Sequence, residues 1–136
     1  MTEFICRTLE DTHQAAIYFT QFANPGQCFA LHGDLGSGKT TFTGYFIKHL
    51  NPKITNVSSP TFTIIQTYNS QLGDIWHADC YRLKSEEEFY ELGLQEAFES
   101  SITIIEWPEI ISNFLPRNTI NIFFKDCGDY KKIVVD

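Results

Sequence analysis

The stretch Gly33-Asp34-Leu35-Gly36-Ser37-Gly38-Lys39-Thr40 decides the fold, because it matches the pattern G-x-x-x-x-G-K-[ST] of a phosphate-binding loop. Glycines in such a loop let the backbone take positive φ angles and approach an anion closely, so that successive N–H groups and the following helix N-terminus surround a β-phosphate. In this pattern Lys39 reaches the β- and γ-phosphates, and the hydroxyl of Thr40 is a ligand of Mg²⁺. We therefore predict that this loop and the adjoining Thr41 bind a nucleotide.

The residues on either side of the loop test whether the match is a coincidence. Residues 27–31 (QCFAL) form a short apolar run that is typical of a buried parallel strand. After the loop, Phe42, Tyr45, Phe46 and Leu50 recur at helical spacing. Strand, loop and helix thus follow in the order that the motif requires, which favours it over the alternative, a surface glycine turn with an unrelated lysine.

The rest of the chain predicts an α/β fold: a phosphate-loop NTPase with a mixed central sheet flanked by helices, in a single domain over residues 1–136. Only six residues separate the strand-like runs 61–68 and 75–79, so we expect an antiparallel hairpin after the loop helix. Runs 118–124 and 130–135 predict a second hairpin at the C-terminus. The other predicted elements are a strand at 3–8, a helix starting at an Asp11–Gln14 capping box, a helix over 85–98 interrupted near Gly93, a strand at 101–105 and a short helix at 109–115.

Composition and charge limit the possible partners and the compartment. The formal net charge is −7, and the ten Lys and Arg residues are spread along the chain, so we expect no strong direct binding of tRNA or other nucleic acid. The N-terminus lacks the features of a secretory signal, and no apolar stretch is long enough to span a bilayer. The four cysteines show neither zinc-site nor disulfide spacing, so we expect reduced thiols in a cytoplasmic protein with no membrane association.

A second metal ligand is expected at the end of an apolar strand, as in the second NTPase motif. Glu106 follows the run 102–105, and Asp79 ends the run 75–79. One of these acids is expected to hold Mg²⁺ directly or through water, and the other to orient the attacking water. The alternative for each acid is a structural role as a cap or in an ion pair with a nearby cation. His77 shares a strand face with Asp79, and a hydrogen bond to Asp79 or to the backbone is favoured over a catalytic role. For Arg82 the sequence leaves two roles open, a contact with a phosphate or partner carboxylate and an ordinary salt bridge.

Together these motifs resemble the TsaE (YjeE) family of small bacterial ATPases. The resemblance covers roughly residues 9–109 and rests on five blocks in order, which are GDLGSGKTTF at 33–42, SPTFT at 59–63, HADCYRL at 77–83, ELGL at 91–94 and IEWPE at 105–109. It implies a Mg²⁺-dependent ATPase needed for threonylcarbamoyladenosine modification of tRNA, acting with the TsaD and TsaB proteins. It also implies that hydrolysis resets the partner transferase between turnovers.

The resemblance assigns roles to particular residues. It implies that Thr40 and Glu106 bind Mg²⁺, that Asp79 matters for hydrolysis and that the helix start at Asp11 and Thr12 lies near the adenine. It places the aromatic side chain of Trp107 at the partner surface or beside the site. One further contact stays open, because either Lys131 or Lys132 of the last hairpin is a candidate to reach the nucleotide.

The sequence therefore predicts Lys39, Asp79 and Glu106 as the catalytic residues of an ATP hydrolase that is weak without its partner proteins. Two other functions fit the phosphate loop. A small kinase is less favoured, because kinases of this fold carry an arginine-bearing lid and this chain has only three scattered arginines. A nucleotide-gated binding module that does not hydrolyse ATP differs from the ATPase only in turnover.

Overall fold

The computed structural model describes residues 2–60 and 64–135. Residues 61–63 of the predicted strand 61–68 lie outside the described residues. In chain order the elements are β1 (Thr2–Cys6), α1 (Leu9–Thr20), β2 (Cys28–His32), α2 (Lys39–Leu50), β3 (Ile65–Tyr68), β4 (Ile75–Asp79), α3 (Glu86–Glu91), α4 (Leu94–Ser100), β5 (Ile102–Glu106), a 3₁₀ segment (Pro108–Phe114), β6 (Ile120–Asp126) and β7 (Lys131–Val135).

The strands form one mixed sheet of seven in the order β1-β7-β6-β2-β5-β4-β3. Strand β2 runs parallel to β5 and β6, and β4 runs parallel to β5. The β3–β4 and β6–β7 pairs are antiparallel, which confirms both predicted hairpins and the mixed sheet. The predicted first strand forms as β1 and pairs antiparallel with β7 at one edge, a partner that the sequence did not indicate. Its C-terminal end therefore lies at the edge where β2, β4 and β5 also end.

Two apolar layers hold helices against the two faces of the sheet. On one face Phe19 of α1 and Phe42 of α2 pack edge to face at 5.7 Å, and Phe46 packs against Phe29 of β2 at 5.1 Å. On the other face Phe89 of α3 stacks on Phe114 of the 3₁₀ segment at 4.4 Å. Burial of these large side chains holds the helices in place against the sheet, and so sets the positions of the α1 and α2 N-termini relative to the sheet edge.

The start of α1 corrects one prediction. The capping box joins Thr8 and Asp11, rather than Asp11 and Gln14: the Thr8 hydroxyl accepts from the Asp11 N–H, and the Asp11 carboxylate accepts from the Thr8 N–H, both at 3.2 Å. The side chain of Gln14 instead donates to Glu10 at 2.7 Å. Both pairs satisfy the three-residue spacing, and the earlier one forms because β1 already ends at Cys6, where the chain leaves the sheet.

The predicted interruption at Gly93 is confirmed, because this glycine takes φ +78° between α3 and α4. The predicted short helix at 109–115 is a 3₁₀ segment with a kink at Ile111. All four cysteines are free, and three of them are buried, as expected for reduced thiols. Among the described residues no helix has the length and apolar character needed to cross a membrane.

Candidate active site

The loop of residues 33–40 joins the end of β2 to the start of α2, and its glycines are required by its shape. Gly33 has φ +152°, and a Cβ there would lie 2.7 Å from the carbonyl oxygen of Phe124. Gly38 has φ +104° and caps α2 without any side-chain hydrogen bond. The first backbone N–H groups of α2 thus face the space above the loop with no capping side chain in front of them, an arrangement suited to an anion.

A cavity of about 380 Å³ opens above this loop at the carboxyl end of the parallel strands. Most of the sequence-predicted site residues line it. The lining residues are Leu9, Thr12, Leu35, Gly36, Gly38, Lys39, Thr40, Thr41, Ser59, Asp79, Glu106, Trp107 and Lys131. Residues from both the N- and C-terminal parts of the chain therefore converge on the loop.

The two predicted acids end neighbouring parallel strands. Asp79 of β4 and Glu106 of β5 are partners in the register, so their side chains lie on the same face of the sheet. The Thr40 hydroxyl donates to the Glu106 carboxylate, 3.3 Å from Oε1 and 3.4 Å from Oε2. One carboxylate oxygen of Asp79 accepts from the N–H of Tyr81 at 2.9 Å. Both acids are buried, at 7% and 3% exposure, and so are held in fixed positions beside α2.

A histidine that the sequence assigned to Asp79 or to the backbone contacts Glu106 instead. Nε2 of His77 lies 2.5 Å from Oε2 of Glu106 across the β4–β5 pair. The side chain of His77 is fully buried. Spacing within one strand suggested Asp79, but the neighbouring strand brings the other carboxylate closer.

Lys39 is held at the loop rather than in the open cavity. Its ammonium donates to the carbonyl oxygen of Gly33 and lies 3.7 Å from the centre of the Trp107 ring. Burial lowers the pKa of Lys39 from its ordinary value, and the carboxylates around it, chiefly that of Glu106, oppose this change. The lysine ammonium is therefore surrounded by groups that attract a cation, namely a carbonyl oxygen, an aromatic ring and carboxylates.

Trp107 directly follows Glu106 and has an unusual backbone, with φ +55° and ψ +59°. This left-handed conformation turns the chain out of β5 and places the indole over Lys39. The exposed ring of Tyr81 packs against the indole at 4.9 Å. Trp107 therefore lies beside the site, which is one of the two positions that the family resemblance implied.

The structure distinguishes between the two candidate lysines of the last hairpin. Lys131 lines the cavity and donates to the carbonyl oxygen of Gly36 in the loop. Lys132 points to the other face of β7 and pairs with Glu3 at 2.9 Å. Lys131 is thus the lysine in position to meet a ligand in the cavity.

Four sequence-predicted binding residues do not line the cavity, and their contact with a nucleotide stays a prediction. Asp11 uses its carboxylate on the N–H groups of Arg7 and Thr8. Gly33, Asp34 and Ser37 belong to the loop itself, and the Ser37 side chain is buried beneath it. Arg82 also lies outside the cavity lining and is exposed. Ser59 of the block at 59–63 does line the cavity, whereas residues 61–63 of that block lie outside the described residues.

Sequence reasoning missed one lining residue, Leu9. It is the first residue of α1 and 66% of it is exposed, although it is a large apolar residue. The predicted helix start at Asp11 left Leu9 outside the helix, and only the pairing of β1 with β7 brings it to this cavity.

The sequence comparisons with known proteins find members of one family. The family model described as "Threonylcarbamoyl adenosine biosynthesis protein TsaE" matches residues 6–134. A Rickettsia bellii protein described as "tRNA threonylcarbamoyladenosine biosynthesis protein TsaE" is 42% identical over 132 residues, which cover 97% of this chain and 92% of that protein. A Bacillus subtilis protein with the same description is 43% identical over 122 residues, or 88% of this chain and 75% of that protein.

A solved structure is also similar. "Crystal structure of Bacillus subtilus YdiB" superposes with a TM-score of 0.80 at 34% sequence identity, covering 98% of this chain and 83% of that one. The likeness extends over the whole sheet and is not restricted to the loop motif.

Proposed function

Since this chain belongs to the TsaE family of tRNA threonylcarbamoyladenosine biosynthesis proteins, we propose that it is a phosphate-loop ATPase that binds and hydrolyses Mg-ATP in that pathway. Its partners in this proposal are the TsaD and TsaB proteins, and hydrolysis resets their transferase complex between turnovers. The observation that carries the proposal is the convergence of Lys39, Thr40 and Glu106 on one cavity above the glycine loop.

The donor set of the cavity fits Mg²⁺. The hydroxyl of Thr40 and the carboxylate of Glu106 are adjacent oxygen donors, and the carboxylate of Asp79 lines the same cavity. Within residues 2–60 and 64–135 no group of three or more His, Cys, Asp or Glu is arranged to hold a metal ion. Mg²⁺ suits such a sparse site, because it is commonly bound by one or two protein oxygens together with phosphate oxygens and water. When bound, the ion neutralises charge on the phosphates.

The chain's own residues have distinct tasks in this proposal. The N–H groups of the loop and of the α2 N-terminus hold the β-phosphate, and Lys39 leaves the Gly33 carbonyl to stabilise charge that develops on the γ-phosphate. Asp79 orients the attacking water. Thr12, which also lines the cavity, contacts the nucleoside in this proposal, and the Trp107 indole limits access of bulk water to Lys39.

A phosphate-release assay tests the proposal. Wild type, Lys39→Ala and Glu106→Ala are compared with Mg-ATP, each alone and with the TsaD–TsaB pair. We expect weak release by wild type alone, more with the pair, and a loss of roughly 100-fold or more in both variants. Circular dichroism of each variant checks that the fold is retained.

Two other outcomes would reject the proposal that this protein is an ATPase. Transfer of phosphate to a small-molecule acceptor in place of release of inorganic phosphate would identify a kinase. Saturable binding of ATP with no release, even with the partner pair present, would identify a nucleotide-gated binding module.

A further inference from the structure

His77 is fully buried beneath the cavity, and the proposed mechanism gives it no task. It lies on β4 two residues before Asp79, opposite Ile104 in the β4–β5 register. Glu106 is two residues further along β5, on the same face. The imidazole therefore meets the carboxylate from a fully buried position on the neighbouring strand, and it does not line the cavity.

The contacts of the Glu106 carboxylate come from two different elements, His77 on β4 and Thr40 on α2. Nε2 of His77 lies 2.5 Å from Oε2, whereas the Thr40 hydroxyl lies 3.3 Å from Oε1 and 3.4 Å from Oε2. A carboxylate held on Oε2 by a buried donor keeps one orientation, and Oε1, which has no contact with His77, remains beside the Thr40 hydroxyl.

The partners of the ring define its tautomer. An ionised carboxylate only accepts hydrogen bonds, so the contact with Glu106 requires the proton on Nε2. Nδ1 of His77 is buried and has no hydrogen-bond partner in the part of the chain that the structure describes. A residue kept only to fill the core would leave such a polar atom unpaired at a cost in free energy, and an aliphatic side chain would avoid that cost.

We propose that His77 is a positioning residue: its Nε2–H fixes the Glu106 carboxylate so that Oε1 is presented, together with the Thr40 hydroxyl, to a divalent cation. This inference rests on the proposed function, since it adds a supporting donor to the cation site described there. It assigns His77 no contact with nucleotide and no proton transfer.

The first test needs neither cation nor nucleotide. Long-range ¹H–¹⁵N correlation spectra of the wild-type protein report which nitrogen of each histidine carries the proton, and the His77 signals are assigned by their absence in His77→Gln. We expect a proton on Nε2 of His77. A His77 ring with no proton on Nε2 would overturn the inference, whether or not the protein hydrolyses ATP.

The second test measures cation affinity with ADP present, using Mn²⁺ as a paramagnetic probe and Mg²⁺ in competition. His77→Leu has similar volume and no donor, and it is expected to weaken cation binding roughly 10- to 100-fold. His77→Gln places an N–H near the position of Nε2 and is expected to stay within about threefold of wild type. ADP affinity in EDTA is expected to be the same in all three proteins within about twofold.

His32→Gln is the matched control. This histidine also ends a strand near the loop, but its Nε2 contacts Asn121 at 2.9 Å and its ring stacks on Phe123, so it does not line the cavity. Its replacement is expected to leave cation affinity unchanged. A similar loss in His32→Gln and His77→Leu would overturn the inference, because the effect would then not depend on Glu106.

Two further results overturn it while leaving the ATPase proposal intact. The first is normal cation affinity in His77→Leu. The second is a lower melting temperature of His77→Leu with equal weakening of ADP binding in the presence and absence of the cation, because that result indicates a purely structural histidine. If wild type itself binds no Mn²⁺ with ADP present, the proposed function fails, and this inference fails with it.

Discussion

Replacing Lys131 by methionine is expected to weaken Mg-ADP binding, while the same replacement at Lys132 is not. The two side chains are adjacent in β7 and point to opposite faces of the sheet. The ammonium of Lys131 donates to the Gly36 carbonyl at the cavity, and that of Lys132 pairs with Glu3 away from it. Each variant removes one positive charge from a chain of net charge −7, so their effects on the overall field are matched.

The size of the effect follows from the charged hydrogen bond that the Lys131 ammonium is expected to form with a phosphate oxygen of bound ADP. A hydrogen bond that involves a charged group has a net value of about 1.5–3 kcal/mol when it is shielded from solvent. Lys131 is only half-buried, so the lower limit of that range applies. A loss of about 1.5 kcal/mol corresponds to a dissociation constant roughly tenfold higher. Because Lys132 does not line the cavity, its replacement is expected to change the affinity by less than about twofold.

Calorimetric titration with Mg-ADP at low and high ionic strength provides the assay. A local contact is expected to survive added salt, whereas a change in the overall field is screened over about 10 Å at 0.1 M ionic strength. Equal weakening by the two variants would refute the assignment of Lys131. An unchanged dissociation constant in Lys131→Met would refute it as well.

The remaining predictions concern the loop and a buried thiol. Gly33→Ala is expected to lower the free energy of unfolding by about 2 kcal/mol, because its Cβ would meet the Phe124 carbonyl at 2.7 Å. Gly36→Ala has open space around its Cβ, so it is expected to lose only the left-handed backbone cost of about 1 kcal/mol. Urea unfolding measures both, and equal losses would contradict the argument from the Phe124 contact. Burial raises the pKa of Cys80 to about 12, and the unfolded thiol ionises near pH 9, so this group's contribution to stability is expected to decrease as pH rises from about 9 to 12. Thiol labelling of the native protein at pH 8 should reach half-buried Cys127 first, and early labelling of Cys80 would show that it is accessible.

Local patterns were sufficient to predict the parts of the site that belong to one segment. The loop motif located Lys39 and Thr40, and the apolar run before Glu106 predicted a strand that ends in an acid. Such features depend on spacing within about ten residues, where glycine freedom and strand alternation act directly. The structure brings all three residues to one cavity.

Features that depend on the order of strands in the sheet could not be predicted from local sequence patterns. Within β4 alone, Asp79 is the nearest acid to His77, but β5 lies beside β4 and supplies Glu106 at 2.5 Å. Similarly, the sequence does not distinguish Lys131 from Lys132 until β7 is placed between β6 and β1. Non-local pairing decides which side chains meet, and no periodicity within one segment contains that information.

The balance of charge at the cavity determines how a net-acidic chain can hold a polyphosphate. Lys39 and Lys131 bring two positive charges to the cavity, and Asp79 and Glu106 bring two negative ones. Without a cation the acids repel a phosphate chain at close range and offset the lysines, so nucleotide affinity must depend strongly on Mg²⁺. Glu106→Gln removes one of the repelling charges together with a proposed ligand. It is therefore expected to bind ATP more tightly than wild type in EDTA and less tightly in excess Mg²⁺, whereas equal affinities in EDTA would show that this acid does not face the phosphates.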